Sequence, residues 1–156
     1  MKVKLITVGT RMPSWVQAGC EEYGKRIKQD LGFELIEVPL AKRSKASNVD
    51  SFRKKEAALL LEKIEPADFV IALEVNGKAL DTPGLAAELE QYRTQGVNLS
   101  LLVGGPDGLD QSCLQRANAQ WSLSRLTLPH PLVRIVLVEQ LYRAVSLTKG
   151  HPYHRE

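Results

Sequence analysis

The sequence predicts an α/β fold with a mainly parallel sheet and helices on both of its faces, and three observations support this prediction. Short apolar runs rich in β-branched residues alternate with longer segments of helical periodicity. Glycine and proline punctuate the boundaries between them. The chain has 156 residues, of which 44% are hydrophobic and 25% charged, and this balance fits one globular domain with its own core. We therefore expect residues 1–156 to form a single domain.

The first predicted strand and helix occupy the N-terminal fifth of the chain. The run "VKLITVG" at 3–9 is rich in β-branched residues and ends in a glycine, which is typical of a buried strand. Apolar residues then recur at helical spacing until Gly32. Ser14 followed by Gln17 has the form of a capping box, so we expect Ser14 to cap this helix.

The alternation continues through the middle of the chain. "FELIEVP" at 33–39 alternates apolar and acidic residues and predicts a half-exposed strand. The pattern over 48–65 is helical and is stopped by Pro66. "DFVIALEV" at 68–75 predicts another buried strand.

Two further elements follow a turn that is predicted at "NGK". Thr82 before Pro83 indicates a helix N-cap with proline in the first turn, and Gly96 ends that helix. The run at 97–105 predicts a strand that leads directly into glycines, and a short helix is expected around 111–119.

The last third departs from this regular alternation. Residues 121–131 predict a short strand or extended loop, and 132–148 predict a helix that is apolar nearly all round. Its only polar stripe is Glu139, Arg143 and Ser146. Because a helix without a broad polar face is buried on two sides, we expect a homodimer in which a second subunit covers one of them.

Cysteine usage and the N-terminus bear on the compartment. Cys20 and Cys113 are far apart and belong to no CxxC or Cys/His pattern, so both are expected to be buried thiols. The first apolar run is too short for a signal peptide, and no stretch approaches the length of a membrane span. We expect a cytoplasmic protein with no membrane partner.

The charge distribution leaves two interpretations open. The net charge is only +3, but residues 42–55 contain six cations and a single acid, Asp50. Such a run is usually a solvated loop and helix face. The alternative is an edge that contacts phosphate groups.

The motif "LVGGPDG" brings backbone close to another group. Glycines without Cβ atoms let a ligand lie against the main chain, and Pro106-Asp107-Gly108 supplies a turn. The motif is neither GxGxxG nor a Walker loop, so a dinucleotide or a nucleoside triphosphate is disfavoured. A tight turn that binds no ligand would need the same residues.

A second candidate is "LSRLTLPHP", in which leucines surround Ser124 and Thr127. The segment could enclose an adenine, with apolar contacts to its faces and backbone groups at its edge. A plain core strand explains the same composition.

All three histidines lie in the last third of the chain. His130 and His151 each precede a proline, which restricts the backbone before it, and His154 lies in the ending "GHPYHRE". No Cys, Asp or Glu cluster completes a metal site, so no metal is expected. The tail offers an aromatic ring, a proton acceptor and a guanidinium, which together suit a nucleotide.

Several segments together identify a family. "ITVGTRMPSWVQAGCEEY", "VGGPDG", "SLSRLTLPHPLVRIVLVEQLYRA" and "HPYHRE" resemble the RlmH family of ribosomal RNA large subunit methyltransferases, a minimal branch of the SPOUT superfamily. The resemblance covers the whole chain. It implies an α/β knot with a C-terminal trefoil, a homodimer, and N3-methylation of a pseudouridine in a 23S rRNA stem-loop of the assembled ribosome. DNA is not an expected partner.

The resemblance also implies a cofactor, S-adenosyl-L-methionine, and the residues that bind it. Carried over by position, these residues are Leu73, Gly104, Leu123, Ser124, Arg125, Leu126, Thr127 and Leu128. Many members of the family read GGPEG where this chain reads "GGPDG", so any role of Asp107 must work with a shorter side chain.

Three tail residues are the catalytic candidates. Because N3 must lose its proton before it attacks, we expect His154 to accept that proton and Tyr153 to stack on or orient the base. Arg155 stays protonated and is expected to stabilise developing charge or to hold a phosphate. His130 and Asp107 are reserve candidates. The alternative function is an RNA-binding or ribosome-associated knotted module without turnover.

Overall fold

Five parallel strands and the helices between them make up the computed structural model, which describes residues 1–45 and 48–155. The strands are β1 (Val3–Val8), β2 (Glu34–Val38), β3 (Phe69–Ala79), β4 (Leu99–Val103) and β5 (Ala119–Ser122). The α-helices are α1 (Ser14–Leu31), α2 (Val49–Glu62), α3 (Thr82–Gln95), α4 (Gln111–Arg116) and α5 (His130–Thr148). A 3-10 helix, Pro152–Arg155, follows α5, and Glu156 lies outside the described residues.

The strands form one sheet in the order β2-β1-β4-β3-β5, and every pair is parallel. Leu5 of β1 lies between Leu35 of β2 and Leu101 of β4. The carboxyl ends of all five strands therefore meet at one edge, where parallel sheets place their ligands. The prediction of an α/β fold with a parallel sheet is confirmed.

Each face of the sheet has its own apolar core. Leu5 packs in a cluster with residues of α1, α3 and α5, whereas its neighbour Ile6 packs with residues of α2 and α4. Successive side chains of a strand point to opposite faces, so β1 contributes to both cores. Helices cover both faces of the sheet, as predicted.

Two predicted helix caps are each wrong by one residue. Pro13 occupies the cap position of α1, and Ser14 is already helical. Gln17 completes no capping box, because its Nε2 donates instead to the carbonyl of Met12 at 2.8 Å. In α3 the capping side chain is Asp81, which accepts from the N–H of Gly84 at 2.8 Å.

The turn predicted at "NGK" is wrong, because β3 continues to Ala79. Its register with β5 shifts between Leu73 and Lys78, so the strand bulges there and then pairs again. A Cβ on Gly77 would lie 2.8 Å from the backbone of Gln120. This glycine serves the close approach of two strands rather than a turn.

Helix α5 packs tightly against α1. A Cβ on Gly19 would lie 3.2 Å from the Ile135 side chain, so the two helices meet where one has no side chain. The predicted polar stripe does not form a wet face, because Ser146 is buried and Glu139 and Arg143 are half-buried. None of the helices in the described part of the chain is long and apolar enough to cross a membrane.

Both cysteines are buried free thiols, as predicted. Burial raises the pKa of Cys20, and it raises the pKa of Cys113 to about 11. Neither thiol is therefore activated for nucleophilic chemistry.

Candidate functional site

A cavity of about 600 Å³ lies at the carboxyl edge of the sheet, beyond β3, β4 and β5. Its remaining wall is the loop 123–129, which runs from β5 to the start of α5. Seven of the eight residues that the resemblance implies for the cofactor line it: Leu73, Gly104, Leu123, Ser124, Leu126, Thr127 and Leu128. The fold thus gathers residues from three separate stretches of sequence around one space.

Arg125 is the exception. Its side chain is exposed and does not line the cavity, although both of its neighbours in the chain do. The structure therefore does not bring Arg125 together with the other seven residues.

The glycine turn after β4 is closed on itself. Gly108 has a φ of 79° and its N–H donates to the carbonyl of Gly105 at 3.0 Å. A Cβ on Gly104 would lie 2.6 Å from the backbone carbon of Gly108, closer than packed atoms approach. Only glycine at position 104 allows this turn to fold beside the cavity.

The leucine-rich loop offers both apolar surface and free backbone groups. Ser124 shapes it, since its Oγ accepts from the N–H of Leu126 at 2.9 Å and its carbonyl accepts from Ser122 Oγ at 3.0 Å. Leu126 is 75% exposed. Within the described residues, the N–H groups of Thr127 and Leu128 donate no hydrogen bond. Apolar side chains beside unpaired amides suit a flat heterocycle with acceptors at its edge.

Sequence reasoning missed Glu74 as a lining residue. It follows Leu73 directly in β3 and is half-buried in an otherwise mostly apolar wall. A carboxylate there favours a ligand with positive charge nearby. The signal in the sequence was its position directly after Leu73, where the buried part of β3 reaches the carboxyl edge of the sheet.

His130 lies in the cavity wall as the first residue of α5. Its Nδ1 is buried and finds no hydrogen-bond partner within residues 1–45 and 48–155. Burial lowers the pKa of this histidine, and the nearby Arg134 guanidinium lowers it further, while Glu56 acts in the opposite direction. A neutral imidazole is thereby held in the cavity wall, and its Nδ1 atom is buried.

Asp107 belongs to a different set of contacts. It does not line the cavity, and its Oδ2 accepts from Nη2 of Arg43 at 2.6 Å. The other terminal nitrogen of Arg43 donates to the buried Glu56 at 3.0 Å. This arginine of the basic segment therefore ties the loop after β2 to the glycine turn, and Asp107 is not placed to accept a proton in the cavity.

The C-terminal tail is docked on the middle of α5. Tyr153 Oη donates to Glu139 Oε1 at 3.0 Å, and the Tyr153 ring lies 4.5 Å from that of Tyr142. The Arg143 guanidinium lies 4.9 Å from the centre of the Tyr153 ring. Burial raises the pKa of Tyr153, and hydrogen bonding to Tyr23 and Glu139 adds to the rise. Tyr153 is thus held as an anchor against its own helix.

None of the three predicted tail residues lines the cavity of its own chain. Glu139, which holds Tyr153, is nine positions along α5 from His130, or about 13 Å at the helical rise. His154 is half-buried and Arg155 is exposed. The histidine that the fold brings to the cavity is His130, the reserve candidate.

Comparison with known proteins agrees with this architecture. The family model described as "Predicted SPOUT methyltransferase" matches residues 1–154. A protein of Hahella chejuensis named "Ribosomal RNA large subunit methyltransferase H" is 51% identical over 156 residues, which cover 100% of both chains. A protein of Marinomonas sp. with the same name is 53% identical over 155 residues, which cover 99% of this chain and 100% of the relative.

Solved structures show the same fold at low sequence identity. A probable methylase family protein of Haemophilus influenzae matches with a TM-score of 0.57 and 11% identity, covering 95% of this chain and 68% of the other. A putative methylase family protein of Neisseria gonorrhoeae matches with a TM-score of 0.51 and 14% identity, covering 90% and 81%. From the family model and the full-length relatives, the chain belongs to the SPOUT methyltransferase family.

Proposed function

We propose that this protein is an S-adenosyl-L-methionine-dependent methyltransferase that modifies N3 of a pseudouridine in a 23S rRNA stem-loop on the assembled ribosome. The observation that carries the proposal is the cavity at the carboxyl edge of the sheet, formed by the glycine turn and the loop 123–129. Relatives about 50% identical over their full length are named as ribosomal RNA large subunit methyltransferases.

The fit of the cofactor rests on three features of the cavity. The leucines of loop 123–129 offer apolar faces, and the amides of Thr127 and Leu128 are free to donate to the edge of an adenine. Glu74 supplies a carboxylate to a cationic ligand. When bound, S-adenosyl-L-methionine supplies a methyl group on a positively charged sulfonium. The protein then mainly has to align this donor with the acceptor nitrogen.

The knot implied by the family is part of the proposal. The loop 123–129 leaves β5 and reaches α5, whose first residue lies near Gly9 after β1. A Cβ on Gly9 would lie 3.8 Å from His130 Cε1, so the start of α5 sits across the sheet from the edge strand β5. We propose that this crossing segment is threaded through the preceding chain.

The tail is proposed to act in the cavity of the partner subunit of a homodimer. In its own chain the tail is held at Glu139, about 13 Å along α5 from His130 in the cavity wall. A twofold axis that pairs two α5 helices antiparallel brings the tail end of one helix to the cavity end of the other. Trp15 and Leu132, at the N-terminal ends of α1 and α5, are exposed and offer apolar surface to a partner.

Proton removal from N3 then has two candidate acceptors. His130 offers a neutral imidazole in the wall of the cavity. His154 would arrive with the partner's tail, together with Arg155 as a cation for a phosphate or for developing negative charge. Tyr153 is proposed to anchor the tail, and its contacts with Glu139 and Tyr142 leave stacking on the base to other groups.

Isothermal titration with S-adenosyl-L-methionine separates this function from a knotted RNA-binding module without turnover. We expect saturable binding, followed by methyl transfer to ribosomes from a strain that lacks the protein. Mass mapping of the modified 23S rRNA then identifies the nucleotide. Absence of saturable cofactor binding would favour the non-catalytic module.

A further inference from the structure

Four exposed cations at the carboxyl edge of the sheet have no partner among the residues that the structure describes. They are Arg11, Lys42, Lys45 and Arg125. Within the described residues, none of their side chains makes an ion pair, a hydrogen bond or an aromatic contact. Since none of the four is buried or paired, the fold gains no packing or ion-pair contact from their charged groups.

Each of the four lies in a loop that follows a strand. Arg11 follows β1, Lys42 and Lys45 follow β2, and Arg125 follows β5. Since β2 and β5 are the two edges of the sheet, four strand spacings separate them, or about 19 Å. The four cations therefore form an arc across the whole edge that contains the cavity.

The loops that carry these four cations add no acidic side chain of their own. The loops 9–13, 39–45 and 123–129 contain no Asp or Glu. Elsewhere at this edge, Glu37 pairs with Arg134 at 2.7 Å and Asp107 pairs with Arg43 at 2.6 Å, while Glu74 lies in the wall of the cavity itself. Those two arginines have structural partners, which distinguishes them from the four cations of the arc.

We propose that Arg11, Lys42, Lys45 and Arg125 contact phosphate groups of the RNA and position the stem-loop over the cavity. The inference rests on the proposed function, because it assigns the substrate contacts of the same site. Cations spread over three loops suit a regularly charged backbone, and such contacts fix register and orientation. Arg125 accordingly serves the RNA rather than the cofactor.

Two double variants with equal loss of charge test the proposal. Arg11→Ala with Lys42→Ala removes half of the arc. The control, Lys2→Ala with Lys63→Ala, removes two exposed cations at the opposite edge, before β1 and before β3. Binding to ribosomes from a strain that lacks the protein is measured over a range of salt concentrations, and cofactor affinity is measured by titration.

For the arc variant we expect ribosome affinity to fall on the order of tenfold near physiological salt. The slope of log affinity against log salt concentration should become shallower by about 0.7 for each phosphate contact that is lost. Its cofactor affinity should match that of the wild type, and the control should match it in both. Hydroxyl-radical protection of the 23S rRNA stem-loop should weaken in the arc variant alone.

An unchanged salt slope in the arc variant would overturn the proposal. Loss of ribosome affinity with full protection of the rRNA would also overturn it, since the cations would then contact ribosomal protein. If the wild-type protein binds no cofactor and transfers no methyl group, the proposed function itself is wrong. Cofactor titration and methyl transfer by the wild type thus test the function, whereas the salt dependence of ribosome binding tests the four cations.

Discussion

Arg134 in α5 donates from Nη1 to Oε2 of Glu37 at 2.7 Å, across 97 residues of sequence. Its side chain is 1% exposed, and its other terminal nitrogen donates to the carbonyls of Val8 at 3.1 Å and Gly9 at 3.3 Å. One guanidinium thus fixes the start of α5 to the ends of β1 and β2. Because His130 lies one turn earlier in α5, this contact also sets the wall of the cavity.

Replacing Arg134 should lower the stability of the fold. Arg134→Met leaves two buried carbonyls without a donor, so we expect the free energy of unfolding to fall by about 3 kcal/mol. Glu37→Gln keeps an acceptor in place, and its carboxylate is one-third exposed, so its cost should be about 1 kcal/mol. Urea unfolding measures both values. Equal losses in the two variants would contradict the central role of Arg134.

The pH dependence of stability should report His130. Because burial holds its pKa below the ordinary value, the unfolded chain binds a proton more readily than the folded one. The free energy of unfolding should therefore fall as the pH drops through the unfolded pKa near 6.5. His130→Gln removes this contribution, so the variant should lose less stability than the wild type between pH 7.5 and 5.5. Parallel curves for the two proteins would contradict the shift.

Gly104→Ala tests the glycine turn. The added Cβ would meet the Gly108 backbone at 2.6 Å, so the turn must open and the cavity must change shape. We expect cofactor affinity to drop at least tenfold. Gly96→Ala is the control, because its φ of 71° imposes strain of about 1 kcal/mol while its Cβ would meet nothing within 4 Å. Thermal unfolding and titration separate loss of stability from loss of binding.

Local patterns predicted most of this fold, because strand and helix periodicities arise from each segment's own burial. The same patterns misassigned Gly77, since a glycine that admits a neighbouring strand resembles one that makes a turn. The pairing of Arg43 with Asp107 spans 64 residues and could not be predicted from local spacing.

The candidate site was predicted to a similar extent. The glycine turn and the leucine loop were visible because both depend on local composition, and seven of the implied residues share one cavity. The distance between the tail and that cavity was not visible, because it depends on how Tyr153 docks on α5. The position of Arg125 outside the cavity was not visible either, since sequence neighbours in a loop can face opposite sides.

A mixed dimer tests whether the tail acts in the partner's cavity. One subunit lacks residues 151–156 and keeps an intact cavity. The other carries Thr127→Trp, which fills the cavity from an exposed loop position and keeps the tail. Each variant alone should form a homodimer without methyl transfer. The truncated homodimer has no tail, and the Thr127→Trp homodimer has no open cavity.

Co-expression of the two with different affinity tags yields the mixed dimer, whose mass is checked before assay. If the tail crosses to the partner, one tail meets one intact cavity, and methyl transfer to ribosomes should return to about half of the wild-type rate per dimer. If the tail serves its own chain, neither subunit has both parts, and the mixed dimer should be inactive. The two arrangements therefore predict opposite results from one sample, and cofactor binding to the truncated subunit confirms that its cavity is intact.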